Sequence, residues 1–344
     1  MQVKKFEQLD SLRFIALFMV LIGHWPTFLR QFSEQYDVAS MGVNLFFVIS
    51  GFLITLGLLG NRQREEPTGK ALYKFYIRRF LRIFPIYYLT LAVLWVFFHE
   101  KVAGSMFWYL AYLSNFYCIH IQNWGGVGHF WSLAVEEQFY LVWPFVILLL
   151  PRKWIMPVIG ICIILSLAIK LHWWNNHVTF WKPYMHPLGV LDVLALGGLL
   201  AWLYKNAPDW LNRLLHNPLF TLIVFLQVWL CFICKDLPAH NIIYHVGIRF
   251  SFGLFSAWLV GRSVFGFSGT AGYVLNNRFL QYVGTISYCF YLIHPFVSES
   301  LAGLTFPANE ELRFVIYFVV TLSICALSWH FFESKILKLK HQFD

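Results

Sequence analysis

Leu9-Asp10-Ser11-Leu12-Arg13-Phe14-Ile15-Ala16-Leu17-Phe18-Met19-Val20-Leu21-Ile22-Gly23-His24 is an apolar run entered by an arginine and closed by a histidine. On a helix, the eleven residues from Arg13 to His24 cover three turns plus about 20° and rise about 16 Å. The two side chains therefore share one face, with a cation at the edge of an apolar helix and an imidazole well inside it. Ionisable groups are costly at membrane depth, so each is a functional residue by default.

Composition sets this run in a membrane. Of 344 residues, 59% are hydrophobic and only 12% charged, against about 25% charged in soluble domains. About ten apolar runs are long enough to span, near 12–29, 41–60, 82–99, 132–150, 154–171, 187–204, 218–234, 242–262, 280–303 and 312–333. The expected fold is an all-α polytopic membrane helix bundle, a single domain over residues 1–344 with no appended soluble domain. With the N- and C-termini cytoplasmic, the inner side holds 19 of the 26 Lys and Arg, the outer side holds six, and Arg249 lies within a span. That asymmetry is the positive-inside pattern. It survives only if residues 105–123, rich in Trp and Tyr, form an interfacial or re-entrant segment in an outer loop rather than a span.

The net charge of +9 does not point to nucleic acid, because the cations alternate with apolar spans instead of clustering on one face. The six cysteines (118, 162, 231, 234, 289, 325) are scattered through apolar stretches without metal-ligand spacing. They read as packing residues, and no metal site is expected. The first apolar run lacks a small-residue cleavage site, so it does not read as a cleavable signal peptide.

Polar residues inside the spans carry the chemistry. Asn44, Gly51 and Thr55 fall on one face of the second span, suiting either a close helix–helix contact or the polar wall of a substrate cavity, with Ser50 beside them. Lys74, Arg78 and Arg82 align at i, i+4 spacing with Arg79 adjacent. Such a run serves the positive-inside signal and anionic lipid contact, or binds a polyphosphate in fork geometry. In the fourth span, His129, Ser132, Glu136, Tyr140 and Trp143 form one stripe, and Glu137 points elsewhere. Glu136 and His24 come to similar depth in the outer half, which makes an imidazole–carboxylate pair geometrically possible. In the ninth span, Pro295 strips a carbonyl of its helical hydrogen bond. His294 or Ser287 is placed to compensate, and His294 is also a candidate for the substrate cavity. Asp192 and Arg249 are further ionisable residues within spans, and their opposite charges make a pair between them the expectation.

Taken in order, Leu9-Asp10-Ser11-Leu12-Arg13 with His24, Gly42-Val43-Asn44-Leu45-Phe46-Phe47-Val48-Ile49-Ser50-Gly51-Phe52, Arg78-Arg79-x-x-Arg82, Trp131-Ser132-Leu133-x-Val135-Glu136-Glu137-Gln138-Phe139-Tyr140, Ser287-Tyr288-x-x-Tyr291-Leu292-x-His294-Pro295 and Phe331-Phe332-Glu333 resemble the acyltransferase 3 family. Asn44 stands where that family usually has Asp, and Ser11 where it commonly has Gly.

The resemblance implies a membrane O-acyltransferase of a bacterial cytoplasmic (inner) membrane. It would take an acyl group from cytoplasmic acyl-CoA, acetyl-CoA foremost, to a hydroxyl of a surface or lipid-linked glycan. Arg13, Lys74, Arg78, Arg79 and Arg82 would hold the CoA phosphates. His24 would be the general base, oriented by Glu136, and an acyl-histidine intermediate stays open. Membrane lipid and the glycan acceptor are the expected partners. From a different class, a proton-coupled transporter or flippase built on a His–Glu relay also stays open.

Overall fold

In a computed structural model, the structure describes residues 6–233, 243–303 and 309–343. Lys4, Lys5, Cys234 and Lys235, which the charge and cysteine readings used, lie outside the described residues. All regular structure among those described is helical. The chain forms α1 (Glu7–His24), α2 (Arg30–Tyr36), α3 (Val38–Gln63), α4 (Thr68–Phe97), three short helices α5–α7 (His99–Val102, Met106–Leu110, Ser114–Ile121) and α8 (Phe130–Leu149). It continues through α9 (Arg152–Asn175), α10 (Trp181–Met185), α11 (Pro187–Asn206), α12 (Pro208–His216), α13 (Pro218–Ile233) and α14 (Arg249–Phe265). Helices α15 (Gly269–Leu275), α16 (Arg278–Thr285), α17 (Ser287–Ala302) and α18 (Glu310–Ser328) follow, and a π-helical turn at Trp329–Glu333 continues α18.

Six of these helical stretches are long and apolar enough to cross a membrane, and two bent pairs raise the number to eight. The pairs join α12 to α13 at 63° and α14 to α15 at 87°. Helices α1 and α17 complete the ten apolar runs of the sequence. Neither passes the same test: α1 carries Glu7, Asp10 and Arg13 within its 18 residues, and α17 has only 16. The aromatic segment 105–123 is broken into α6 and α7, of 5 and 8 residues, each too short to span.

The chain divides into two compact, sequence-discontinuous units. Unit 1 takes residues 1–46, 77–90 and 262–344, and unit 2 takes 47–76 and 91–261. In unit 1, α1 packs against α16 and α17, and α17 against α18. The start of α1 is stitched down by polar side chains. Gln8 Nε2 donates to the Phe267 carbonyl and to Asn276 Oδ1, both at 3.1 Å, and Gln8 Oε1 accepts from Phe267 N at 2.8 Å. Ser11 Oγ donates to the Leu275 carbonyl at 2.7 Å, which gives the serine at this position a partner that glycine would lack. A side chain at Gly284 would collide with the Asp10 carbonyl, so the two backbones approach closely there.

Unit 2 is organised on α9 and α11. Gly51 of α3 sits against the Leu194 carbonyl and Gly197 of α11, so this glycine serves close helix packing. Thr55 Oγ1, on the same face, accepts from Trp143 Nε1 of α8 at 2.7 Å.

The expected Asp192–Arg249 pair does not form. Asp192, fully buried, accepts from Lys170 Nζ at 2.7 Å through one oxygen, and its other oxygen, 3.0 Å from Ser166 Oγ, shares that hydroxyl hydrogen with the Leu188 carbonyl at 2.7 Å. Lys170 and Ser166 lie on α9, and Asp192 faces them across the tightest helix contact of the unit. Arg249 instead donates to the Tyr184 carbonyl at 3.1 Å and covers the Tyr184 ring at 4.2 Å. Lys170 is itself 2% exposed, a cation held inside the unit.

A buried pair that loses one partner leaves an uncompensated charge, which costs about 3–5 kcal/mol. Asp192→Asn should lower the unfolding free energy of the purified protein by that order, and Lys170→Met combined with Asp192→Leu should recover most of it. The measurement is denaturant unfolding of both variants in the same detergent.

Candidate active site

Unit 1 holds the candidate histidines His24 and His294 and four of the five candidate cations, Arg13, Arg78, Arg79 and Arg82. Helix α1 is unbroken from Glu7 to His24, so Arg13 and His24 do share a face about 16 Å apart along the axis. His24 occupies the last turn, and the chain turns away at Trp25 and Pro26. Trp25 is fully buried among Phe290, Phe314 and Tyr317, and its Nε1 donates to the His294 carbonyl at 3.1 Å. This ring fixes the end of α1 against α17.

The arrangement brings His24 onto His294. His24 Nδ1 lies 2.7 Å from His294 Nε2. The two rings are parallel within 3° and their centroids are 5.0 Å apart. Parallel rings whose nitrogens approach this closely meet edge to edge, as an N–H···N bond in the ring plane requires. His294 is fully buried and His24 is exposed, so the pair presents one accessible imidazole backed by an inaccessible one. His294 Nδ1 lies 2.7 Å from the Tyr291 carbonyl. Of the two residues placed to compensate Pro295, it is therefore His294 that takes the carbonyl.

The basic residues are half-buried and already engaged. Arg13 pairs with Asp10 at 2.7 Å in unit 1, and Lys74 with Glu66 at 2.6 Å in unit 2. Arg78, Arg79 and Arg82 lie on the unit 1 part of α4, each with neighbours of its own. Arg82 acts electrostatically on Glu333, which also accepts from Ser328 Oγ at 2.9 Å. The π-helical turn that holds Glu333 thus sets a carboxyl within electrostatic reach of Arg82. The sequence reading noted Phe331-Phe332-Glu333 but gave Glu333 no role. Asn44 is fully buried in unit 1, and neither polar atom of its side chain has a hydrogen-bond partner among the described residues.

Unit 2 holds the carboxylate. Tyr140, one turn on from Glu136, donates to Glu136 Oε2 at 3.2 Å. Its oxygen is 2.5 Å from Ser50 Oγ. With the phenol proton directed at the carboxylate, the serine donates to the phenol, and the chain Ser50–Tyr140–Glu136 ends on the charge. Ser132 Oγ donates to the His129 carbonyl of its own helix at 3.2 Å. Gln138 has a role that spacing did not show: its Nε2 donates to the Tyr112 carbonyl at 2.8 Å and to Asn115 Oδ1 at 3.0 Å, while its Oε1 accepts from Asn115 Nδ2 at 3.3 Å. It ties the short helices α6 and α7 to α8 beside the two glutamates. Tyr112 has a φ of 54°, a backbone conformation that a bulky side chain holds only when its surroundings impose it. Among the described residues, no group of three or more His, Cys, Asp or Glu is placed to hold a metal ion.

These features define a multi-pass membrane protein with a buried-backed histidine and an arginine run in one unit and a hydrogen-bonded glutamate in the other. The chain belongs to the acyltransferase 3 family, whose acyltransferase domain matches residues 6–330. It is 29% identical to the peptidoglycan O-acetyltransferase OatA of Listeria monocytogenes, over 96% of this chain and 55% of that protein. It is 27% identical to a Staphylococcus aureus protein provisionally named an O-acetyltransferase, over 96% of this chain and 57% of that one. The chain thus spans a little over half the length of the curated relatives it matches. No solved structure matches it.

Removing the Gln138 amide leaves the buried Asn115 without its reciprocal partner, at a cost of about 1–3 kcal/mol. Gln138→Ala should raise amide hydrogen exchange in residues 106–121 while exchange in α9 and α11 stays at the wild-type level.

Proposed function

We propose that this chain is a membrane O-acyltransferase that moves an acetyl group from cytoplasmic acetyl-CoA to a hydroxyl of a cell-wall or surface glycan. The observation that carries the proposal is the His24–His294 pair, on the same unit as Arg13, Arg78, Arg79 and Arg82, in a chain of this family. The Listeria relative's name supports peptidoglycan as the acceptor class. In this reading the ten helical runs all span a bacterial cytoplasmic membrane with both ends inside. The arginine run then faces the compartment that supplies the donor.

The guanidinium groups of Arg78, Arg79 and Arg82, with Arg13 and Lys74, bind the phosphates of CoA, and each exchanges a protein partner for phosphate oxygens as it does so. His24 takes the proton of the acceptor hydroxyl as that oxygen attacks the thioester carbonyl. The carbon–sulfur bond breaks, and the thiolate leaves with the pair and receives the proton from the imidazolium. An imidazole suits both transfers because its ordinary pKa lies near neutrality. Glu136, held by the Tyr140 hydroxyl, is assigned as a second catalytic group. Asn44, Ser50, Ser132, Tyr140 and His294 are assigned to the surroundings of the reacting groups.

His24→Ala and Glu136→Gln should each abolish transfer by the purified protein without changing its abundance in the membrane. Transfer at the wild-type rate by His24→Ala would sink the assignment. Arg78→Ala combined with Arg82→Ala should raise the donor KM at least about tenfold with kcat little changed, as expected when binding is lost equally from ground and transition states. An unchanged donor KM would return these arginines to topology signals.

A further inference from the structure

Pro295 follows Tyr291 by four residues, the spacing at which a backbone N–H would normally close the helical bond to the Tyr291 carbonyl. Proline has no N–H, so that carbonyl is left for another donor within α17. His294 Nδ1 reaches it at 2.7 Å. A carbonyl oxygen only accepts, so Nδ1 of His294 carries the hydrogen. With that nitrogen protonated, neutral His294 presents a bare lone pair at Nε2. The lone pair faces His24 Nδ1 at 2.7 Å, in the plane of both rings. Two bare nitrogens would repel at this distance, so His24 Nδ1 carries the hydrogen and its Nε2 is bare.

The other assignments fail on the same geometry. An Nε2–H tautomer of His294 would set the bare Nδ1 against the carbonyl lone pairs. A cationic His294 would place a charge on a fully buried ring, at the cost of desolvating it.

We propose that Pro295, Tyr291 and His294 form a tautomer-setting relay for His24: the freed carbonyl fixes His294, and His294 fixes His24 with its basic nitrogen at Nε2, away from the buried ring. His294 is then a positioning residue with the task that a carboxylate performs in a Ser-His-Asp triad, carried out here by a neutral ring. Through the transfer step the hydrogen on His24 Nδ1 stays in place, bonded to His294 Nε2. The proton from the acceptor hydroxyl enters and leaves His24 at Nε2 alone. The relay deepens the reading of His24 as the base and rests on it.

The direct test is nitrogen-15 NMR of the full chain in nanodiscs with labelled histidine, the His24 signals being those lost in His24→Gln. A protonated Nδ1 with a bare Nε2 is expected, and an Nε2–H tautomer of neutral His24 overturns the relay. This measurement needs no variant at His294, so it decides even if such variants fold poorly.

Kinetics of acetyl transfer provide the second arm. His294→Leu should lower kcat at least about 100-fold with the donor KM unchanged, by comparison with the loss when a triad orienter is replaced. His294→Gln, whose amide oxygen can accept from Nδ1, should stay within about tenfold of wild type. Wild-type kcat in His294→Leu, or equal losses in the two variants, overturns the relay. Wild-type transfer by His24→Ala instead overturns the reading of His24 as the base, a result distinct from either.

Discussion

The bond between His24 and His294 depends on a rule that governs the whole chain: in an apolar medium every polar backbone group needs a partner inside the protein. Pro295 breaks that rule on purpose at one carbonyl, and the structure answers with a side chain instead of a backbone amide. Because the answering side chain is a histidine, satisfying the carbonyl also decides which nitrogen of the next ring holds a proton. Trp25, wedged against the same turn and bonded to the His294 carbonyl, holds the end of α1 where this bond can form. The stitching of Gln8 and Ser11 holds the other end. An imidazole at an exposed helix end is thus placed as firmly as a core residue.

Unit 2 answers the same constraint with charges. Asp192 uses both oxygens, one on Lys170 and one on Ser166, and the pair ties α9 to α11 where the helices are in closest contact. The desolvation cost of such a pair is offset by its close geometry, here the 2.7 Å contact of Lys170 Nζ with Asp192. The Ser50–Tyr140–Glu136 chain obeys the same logic with one formal charge. Each hydroxyl passes its hydrogen toward the carboxylate, so Glu136 stays bonded where water does not supply the bond.

What could be read from the sequence was whatever a single helix decides. The spacing of Arg13 and His24, the i, i+4 contact of Tyr140 with Glu136, and the carbonyl that Pro295 frees are all local consequences of 3.6 residues per turn, and all appear in the structure. Partners on other helices were not legible. His24 and His294 are 270 residues apart, and no period relates them. Asp192 chose Lys170 over Arg249 because helix contact, not complementary charge alone, sets which pair forms. The burial of Lys170 was not legible either, because a charge count assigns a side and not a depth. Glu333 and Gln138 were missed for a related reason: each matters through a partner that only the packing of helices supplies, Arg82 for one and the 112–115 loop for the other.

A neutral ring behind the proposed base His24 has a consequence that a carboxylate would not. A carboxylate would stabilise the imidazolium strongly but would itself be a buried charge during every part of the cycle in which His24 is neutral. His294 avoids that cost and stabilises the imidazolium less, leaving its proton easier to give up. For the proposed acyl transfer from a thioester this is a tolerable exchange. The leaving thiolate is far less basic than an alkoxide, so its departure asks little of a proton donor. The demand falls on the first half of the step, where the hydroxyl must lose its proton as it attacks. There the correct tautomer matters more than basicity, because an imidazole with its lone pair turned toward the buried ring cannot accept that proton at all. A relay that fixes direction at the expense of strength is therefore matched to this chemistry, and Pro295 is the residue that makes such a relay possible inside a helix.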